Sequence, residues 1–340
     1  MLQLDNRTPY QAERALLADL DGSEIWVVVV KATFDMALGK PREAVDQAPV
    51  CLVDEYNGKP GASSLRYESD LAYRKPGTDV VVNGHAYAPN GRRATRVDAV
   101  VKVGPVHKTV RVYGDRHWRR GIVGLRASRP KPFDRIPLVY ERAFGGADLS
   151  SGDPRKQGVE ERNPIGVGFG MSKGFLRGKP LPNLEDPRRE LRRWSHRGPP
   201  AGFGLVCRHW LPRRSYVGTC DDTWLKFRCP LYPTDFDTRF FLGAAPGLTA
   251  TPHLRGGERI ELTNLTAGAP LSFDLPRIGL TMRTRLSGRW VRHIARLGSV
   301  ILEPDYPRVV LVWHSMLACH RKKFELDVTQ IAEKRVVAWS

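Results

Sequence analysis

Ile25-Trp26-Val27-Val28-Val29-Val30-Lys31-Ala32-Thr33-Phe34 is the stretch on which the fold turns. β-branched and aromatic side chains suit an extended backbone, and a near-continuous apolar run has no polar face to offer water. It reads as a central strand buried on both faces. Its longest apolar segment, Ile25 to Val30, is far short of the ~18 residues a membrane helix needs. The first ten residues carry Gln3, Asp5, Asn6 and Arg7 where a signal peptide would have an apolar core. A cytoplasmic protein without membrane insertion is expected.

Working outward, Asp79 to Tyr87 is predicted as a further strand. Val97, Ala99, Val101 and Val103 then alternate with polar Asp98 and Lys102. Gly104-Pro105 turns the chain, and Val106, Val110 and Val112 resume the period of two, predicting a hairpin. Ile122 to Ala127 and Pro137 to Phe144 read as short strands. From Gly145 to Gly204 the periodicity dissolves into Gly, Pro, Asn and Asp, apart from a helix expected over Arg188 to Trp194, with Asp186 as cap and Pro187 at its first position. A stretch of this length without regular structure is functional or laid over the core.

Sheet signals return with Phe203 to Trp210 and Tyr216 to Val217. They continue through Arg259 to Leu265, Leu271 to Leu275, Leu280 to Leu286, Ser299 to Leu302 and Arg308 to Leu317. Thr219 with Asp222, and Thr234 with Asp237, have capping-box spacing and predict two helical turns. The expected fold is mostly β: antiparallel sheets forming a large sandwich or two β-rich lobes, with a few short helices and long Gly/Pro-rich loops. The segments are residues 1–144 as an N-terminal β-rich lobe, 145–204 as a loop-rich excursion with a short helix, and 205–340 as a C-terminal β-rich lobe, continuous with the first in one version.

The 54 Lys and Arg residues outnumber the 36 Asp and Glu, for a net charge of +18 among 340 residues. That excess favours an anionic partner without choosing between nucleic acid, an acidic protein and a phosphorylated ligand. The basic residues are spread along the chain, so nucleic acid is the disfavoured choice. Cys51, Cys207, Cys220, Cys229 and Cys319 form no CxxC pair, and their spacing, even with His209 and His320 beside two of them, fits no zinc module. Free thiols, no metal and no cofactor are expected.

Enzyme chemistry finds little purchase. Neither GxGxxG nor GxxxxGK[ST] is present, and Gly166-Val167-Gly168-Phe169-Gly170 lacks the helix that would aim amides at phosphate. There is no GxSxG elbow and no HExxH, and His314 on a predicted strand reads as a structural histidine. The best catalytic alternative is a carboxylate-based hydrolase, metal-dependent in one form, using Asp221, Asp222, Asp235 and Asp237. Against it, Asp222 and Asp237 also serve as helix-capping residues, with Asp221 and Asp235 merely solvated. The expectation is that the protein is not an enzyme.

Aromatic and arginine residues crowd one region instead. Trp194, Trp210, Arg213, Arg214, Tyr216, Trp224, Arg239 and Phe240 have the Trp/Tyr/Arg composition of protein interfaces, and they are the candidate protein-binding residues.

A series of ordered motifs carries a family likeness. They include Lys31-Ala32-Thr33-Phe34, Lys75-Pro76-Gly77-Thr78-Asp79, Asn83-Gly84-His85-Ala86, Val112-Tyr113-Gly114-Asp115-Arg116 and Pro137 to Gly146. Further on come Asn163-Pro164-Ile165-Gly166, Leu181 to Glu185, Pro200 to Gly204, Tyr216 to Thr219, Asp235-Phe236-Asp237, Arg239-Phe240-Phe241 and Gly256-Gly257-Glu258. On these the chain resembles the domain-of-unknown-function 2169 family over about residues 10 to 315. The resemblance implies a bacterial adaptor or chaperone that binds a type VI secretion effector, or its spike-tip domain, and helps load it onto the secretion spike protein. It implies no catalysis and assigns no contact residue.

Overall fold

The computed structural model describes residues 3–36, 41–122, 124–319 and 321–334. Among the described residues strand makes up 41% against 10% helix, so the fold is mostly β, built there of several largely antiparallel sheets with no closed barrel. The strand Glu24–Asp35 is buried from Ile25 to Phe34, as its composition requires. Trp26, Val28, Val30, Ala32 and Phe34 point into the main core, while Ile25, Val27 and Val29 face a second apolar cluster.

This strand belongs to a seven-stranded sheet. Its spatial order is Thr249–Ala250, Thr78–Val82, Arg296–Glu303, Arg308–Ala318, Glu24–Asp35 and Gln11–Ala18, with Arg42–Glu43 also paired to Glu24–Asp35. Only the pairing of Thr78–Val82 with Arg296–Glu303 is parallel. A five-stranded antiparallel sheet runs Leu184–Glu185, Val106–Tyr113, Arg96–Val103, Arg259–Thr263 and Leu271–Asp274. In a four-stranded sheet Gln3–Asn6 lies parallel to Leu326–Glu333, beside Leu280–Leu286 and Arg289–His293. All three sheets combine strands from both halves of the sequence, and one main core joins them.

The predicted hairpin forms in the expected register, Val103 opposite Val106, with Gly104 at φ +51° in its turn. Gly114, just beyond it, is needed for a different reason: a Cβ there would lie 1.7 Å from the Lys131 carbonyl oxygen.

Several local expectations are corrected. Asp79 to Tyr87 is two strands in two sheets, Thr78–Val82 and His85–Tyr87, separated at Asn83-Gly84. Ile122 is exposed outside the strand Gly124–Ala127, and Val123 lies outside the described residues. Pro137 to Phe144 contains the end of Arg135–Pro137, a 3-10 turn at Tyr140–Arg142 and the start of Phe144–Gly145.

No helix forms over Arg188 to Trp194. The Asp186 carboxylate accepts from Arg188 N, but Leu191 N is drawn to Glu185 and Glu190 to Arg111 and Tyr113. The short helix of the excursion is Lys173–Leu176, capped by Ser172. Phe203 to Trp210 is irregular chain, buried except at Arg208 and His209, that meets sheet through bridges at Leu205 and through Phe203 O, which accepts from Val82 N, and Tyr216-Val217 ends the 3-10 helix Arg213–Val217.

Irregular chain covers the second face of the seven-stranded sheet, and buried polar pairs fix it there. Lys31 points into this layer, and its ammonium reaches Asp70 at 2.9 Å, both side chains almost fully buried. Thr33 is bound through Gln47 and Ala48. Lys75 reaches Asp79 at 2.7 Å and Ser299 at 2.9 Å, and Asp79 accepts from Gly243 N.

Asp70→Ala strands the Lys31 charge and is expected to lower unfolding free energy by about 3–5 kcal/mol in urea denaturation. Adding Lys31→Met is expected to restore at least half of that loss, because no buried charge is then left over.

Candidate functional site

The eight candidate contact residues separate into five environments. Trp210 and Arg213 are core residues: Trp210 packs edge-on to Tyr140 at 5.7 Å, and Arg213 is 3% exposed. The Arg213 guanidinium donates to Glu68 at 2.8 Å, to Val206 O at 2.7 Å and to Phe240 O at 2.8 Å. Glu68 also accepts from Arg208 at 2.7 Å. Burial alone would raise the Glu68 carboxyl, but Arg213, with Lys75 and Arg208, outweighs it and holds it below the ordinary range.

Trp194 stands apart, packed against the separate cluster of Trp118, Leu176 and Leu181. Arg214 is a surface residue paired with Glu161. These two do not join the others. Phe240 belongs to an aromatic layer with Tyr73, Tyr232, Phe236 and Phe241, whose neighbouring rings have centroids 4.1–6.2 Å apart, pressed on the second face of the central strand.

Tyr216, Trp224 and Arg239 lie on the outside of that layer. The Arg239 guanidinium stacks 4.5 Å from the Tyr216 ring and binds Asp237, whose N–H bonds back to Tyr216 O. Trp224 lies on the helix Asp222–Phe227 and donates its indole N–H to Leu231 O at 2.8 Å. Arg228 hydrogen-bonds Tyr232 O and reaches Leu20 O, tying this helix to the turn before the central strand. Two residues of the same helix that composition did not single out are left projecting into solvent: Leu225, 62% exposed, and Phe227, 76% exposed. Neither had a pattern to mark it.

The four aspartates act locally. Asp221, not Thr219, caps the helix by accepting from Trp224 N, because Asp235 has already bound Thr219 through its N–H and hydroxyl. Asp237, not Thr234, caps the 3-10 helix Thr238–Phe241. The Asp235 carboxyl is lowered by Thr219 and that of Asp237 by Arg239. Asp222 is exposed in the first turn of its helix.

Cys51, Cys207 and Cys319 are buried, Cys220 and Cys229 exposed, and all five are free thiols. Burial pushes the Cys51 thiol up to about 12 and the Cys207 thiol up to about 11. Among the described residues no three His, Cys, Asp or Glu groups are placed to share a metal ion, and His320 is outside those residues. Among the same residues no helix is long and apolar enough to cross a membrane.

His314 is a buried structural histidine whose Nε2 donates to Asp70 O at 2.6 Å. Burial, with Lys75 nearby, pushes it down to about 3. His293 lies between Thr284 and Ser315, and burial pushes it down to about 4.

Arg213→Ala is expected to cost about 3–5 kcal/mol in urea denaturation because it orphans buried Glu68. Arg214→Ala, which breaks an exposed pair, is expected to cost less than about 1 kcal/mol. The two histidines are neutral in the fold and charge near their ordinary value when unfolded, so from about pH 6.5 down to 4 the unfolded chain binds more protons and stability falls. His293→Gln is expected to flatten that fall by up to about 3 kcal/mol in denaturation curves taken across the range.

A family model described as an uncharacterized protein conserved in bacteria, DUF2169, matches residues 21–314. No curated protein and no solved structure matches the chain.

Proposed function

The chain belongs to the DUF2169 family, and on that premise we propose that it is a non-catalytic adaptor or chaperone that binds a partner protein through the surface built on residues 216–241. The observation that carries this reading is the projecting pair Leu225 and Phe227. They stand on a six-residue helix pinned by Trp224, Arg228 and the aromatic layer beneath. Exposed apolar side chains on a fixed support, flanked by Lys226 and Arg228, form an anchor with a polar border.

The net charge of +18 favours an acidic partner. The family resemblance supplies the finer assignment: the partner is a type VI secretion effector or its spike-tip domain, held in the cytoplasm and passed to the secretion spike.

The test is to express the protein with the products of its neighbouring genes and identify what co-purifies through a salt series. Recovery of an effector or tip protein in a fixed ratio is expected. Leu225→Asp with Phe227→Asp is expected to abolish that recovery while shifting stability by less than about 1 kcal/mol, since both side chains are exposed. Recovery of nucleic acid alone, lost at moderate salt, would falsify the adaptor reading.

A further inference from the structure

The strand Arg296–Glu303 follows its neighbour Arg308–Ala318 only as far as Arg296, which pairs with His314. At Ile294-Ala295 the chain turns away, and the preceding residues join another sheet as Arg289–His293. Among the described residues Met316, Leu317 and Ala318 therefore pair with the central strand on one side and with no strand on the other. Arg289–His293 is likewise an edge, paired among the described residues only with Leu280–Leu286. Between the two edges opens a wedge-shaped cleft of about 560 Å³, its inner end tied by His293 to Ser315 at 2.5 Å.

The chemistry of the wedge is one-signed. Arg74, Lys75, Arg292 and Arg296 line it, and no Asp or Glu side chain does. Arg74 is held by Asp19 and Lys75 by Asp79, while the Arg292 and Arg296 side chains have no hydrogen bond or ion pair among the described residues. A second observation concerns His253 in the same lining. Its Nδ1 donates to Leu297 O at 2.9 Å, which leaves Nε2 as an acceptor, buried and without a partner. Arginines want oxyanions, Nε2 wants an N–H, and the open edge of Met316–Ala318 wants an extended backbone. An acidic peptide supplies all three, whereas a phosphate ion or a nucleic-acid strand offers no backbone amide to pair along the edge.

We propose that this wedge is the seat of an acidic, extended segment of a partner protein, whose backbone runs along Met316–Ala318 and whose carboxylates meet Arg292 and Arg296. The proposal rests on the adaptor reading and names the chemistry of its partner. Tyr73 and Thr238, which border the aromatic layer, also line the wedge, so it adjoins the support of the Leu225 and Phe227 anchor.

The experiment measures fluorescence anisotropy of a short labelled peptide alternating Glu and Val, titrated with the full chain, alongside a matched peptide with Gln for Glu. Arg292→Glu with Arg296→Glu is expected to weaken binding of the Glu peptide at least about tenfold. Arg119→Glu with Arg120→Glu, an equal charge change on the exposed hairpin strand Trp118–Gly121, is expected to change it less than about twofold. Hydrogen exchange is expected to slow at Met316–Ala318 when peptide is added. Equal weakening by both double variants, no binding by the parent chain, binding of the Gln peptide just as tightly, or displacement by tripolyphosphate or single-stranded DNA at lower concentration each overturns the proposal. If the co-purifying partner stays bound to the Arg292/Arg296 variant, the wedge is not its seat, although the adaptor reading stands. If no partner is recovered by either form but the acidic peptide still binds as described, the adaptor reading fails and the peptide site remains.

Discussion

The architecture depends on one buried ion pair, Lys31 with Asp70. A strand covered on both faces can be all apolar, but this one carries an ammonium in its middle, and an unpaired charge there is untenable. Asp70 meets that need and more: its carboxylate also accepts from Cys51 N, and its carbonyl accepts from His314 on the adjacent strand. One residue in irregular chain thus fixes the central strand, its neighbour and the loop that covers both. The second face of the sheet is consequently roofed by loops held through specific polar contacts instead of by another sheet.

That roof determines what the surface offers. Arg213 and Glu68 lock the underside of the 3-10 turn that carries Phe240, and the aromatic layer spreads from there to Tyr232 and Tyr73. Because Trp224 and Arg228 tie it to Leu231, Tyr232 and Leu20, the short helix beside this layer holds apolar side chains outward without collapsing them into the core. The same strand order that calls for a loop roof also lets Arg296–Glu303 depart early from its neighbour, which opens the wedge.

The parts of the fold legible in the sequence were those governed by side-chain periodicity. Val97 to Val112 and Leu280 to Leu286 alternate because one face is buried, and the apolar run at residues 25–34 does not because both are. Gln11–Ala18 shows the opposite case: Ala, Glu, Arg and Leu favour helix, yet pairing with the exposed flank of Glu24–Asp35 makes it a strand. The helix expected after Asp186 failed for a similar reason, since Glu185 and Glu190 had stronger distant partners than a local helix offered. At the candidate site, composition marked residues that the structure divides between core and surface. Arg213 and Arg214 are adjacent and chemically identical, and only the distant Glu68 makes one of them core and the other surface.

The pairing of Lys31 with Val312 also sets a schedule for biosynthesis. The central strand leaves the ribosome about 280 residues before the strand that must cover its flank, a delay of roughly 15–60 s at ordinary elongation rates. During that interval a valine-rich segment with open edges is available to any other nascent chain, the situation in which strands aggregate. Gln11–Ala18, made first and joined by a short turn, can occupy one edge almost at once. The other edge stays open until Arg308–Ala318 has emerged, so the yield of folded protein is tied to how the cell shields that one edge.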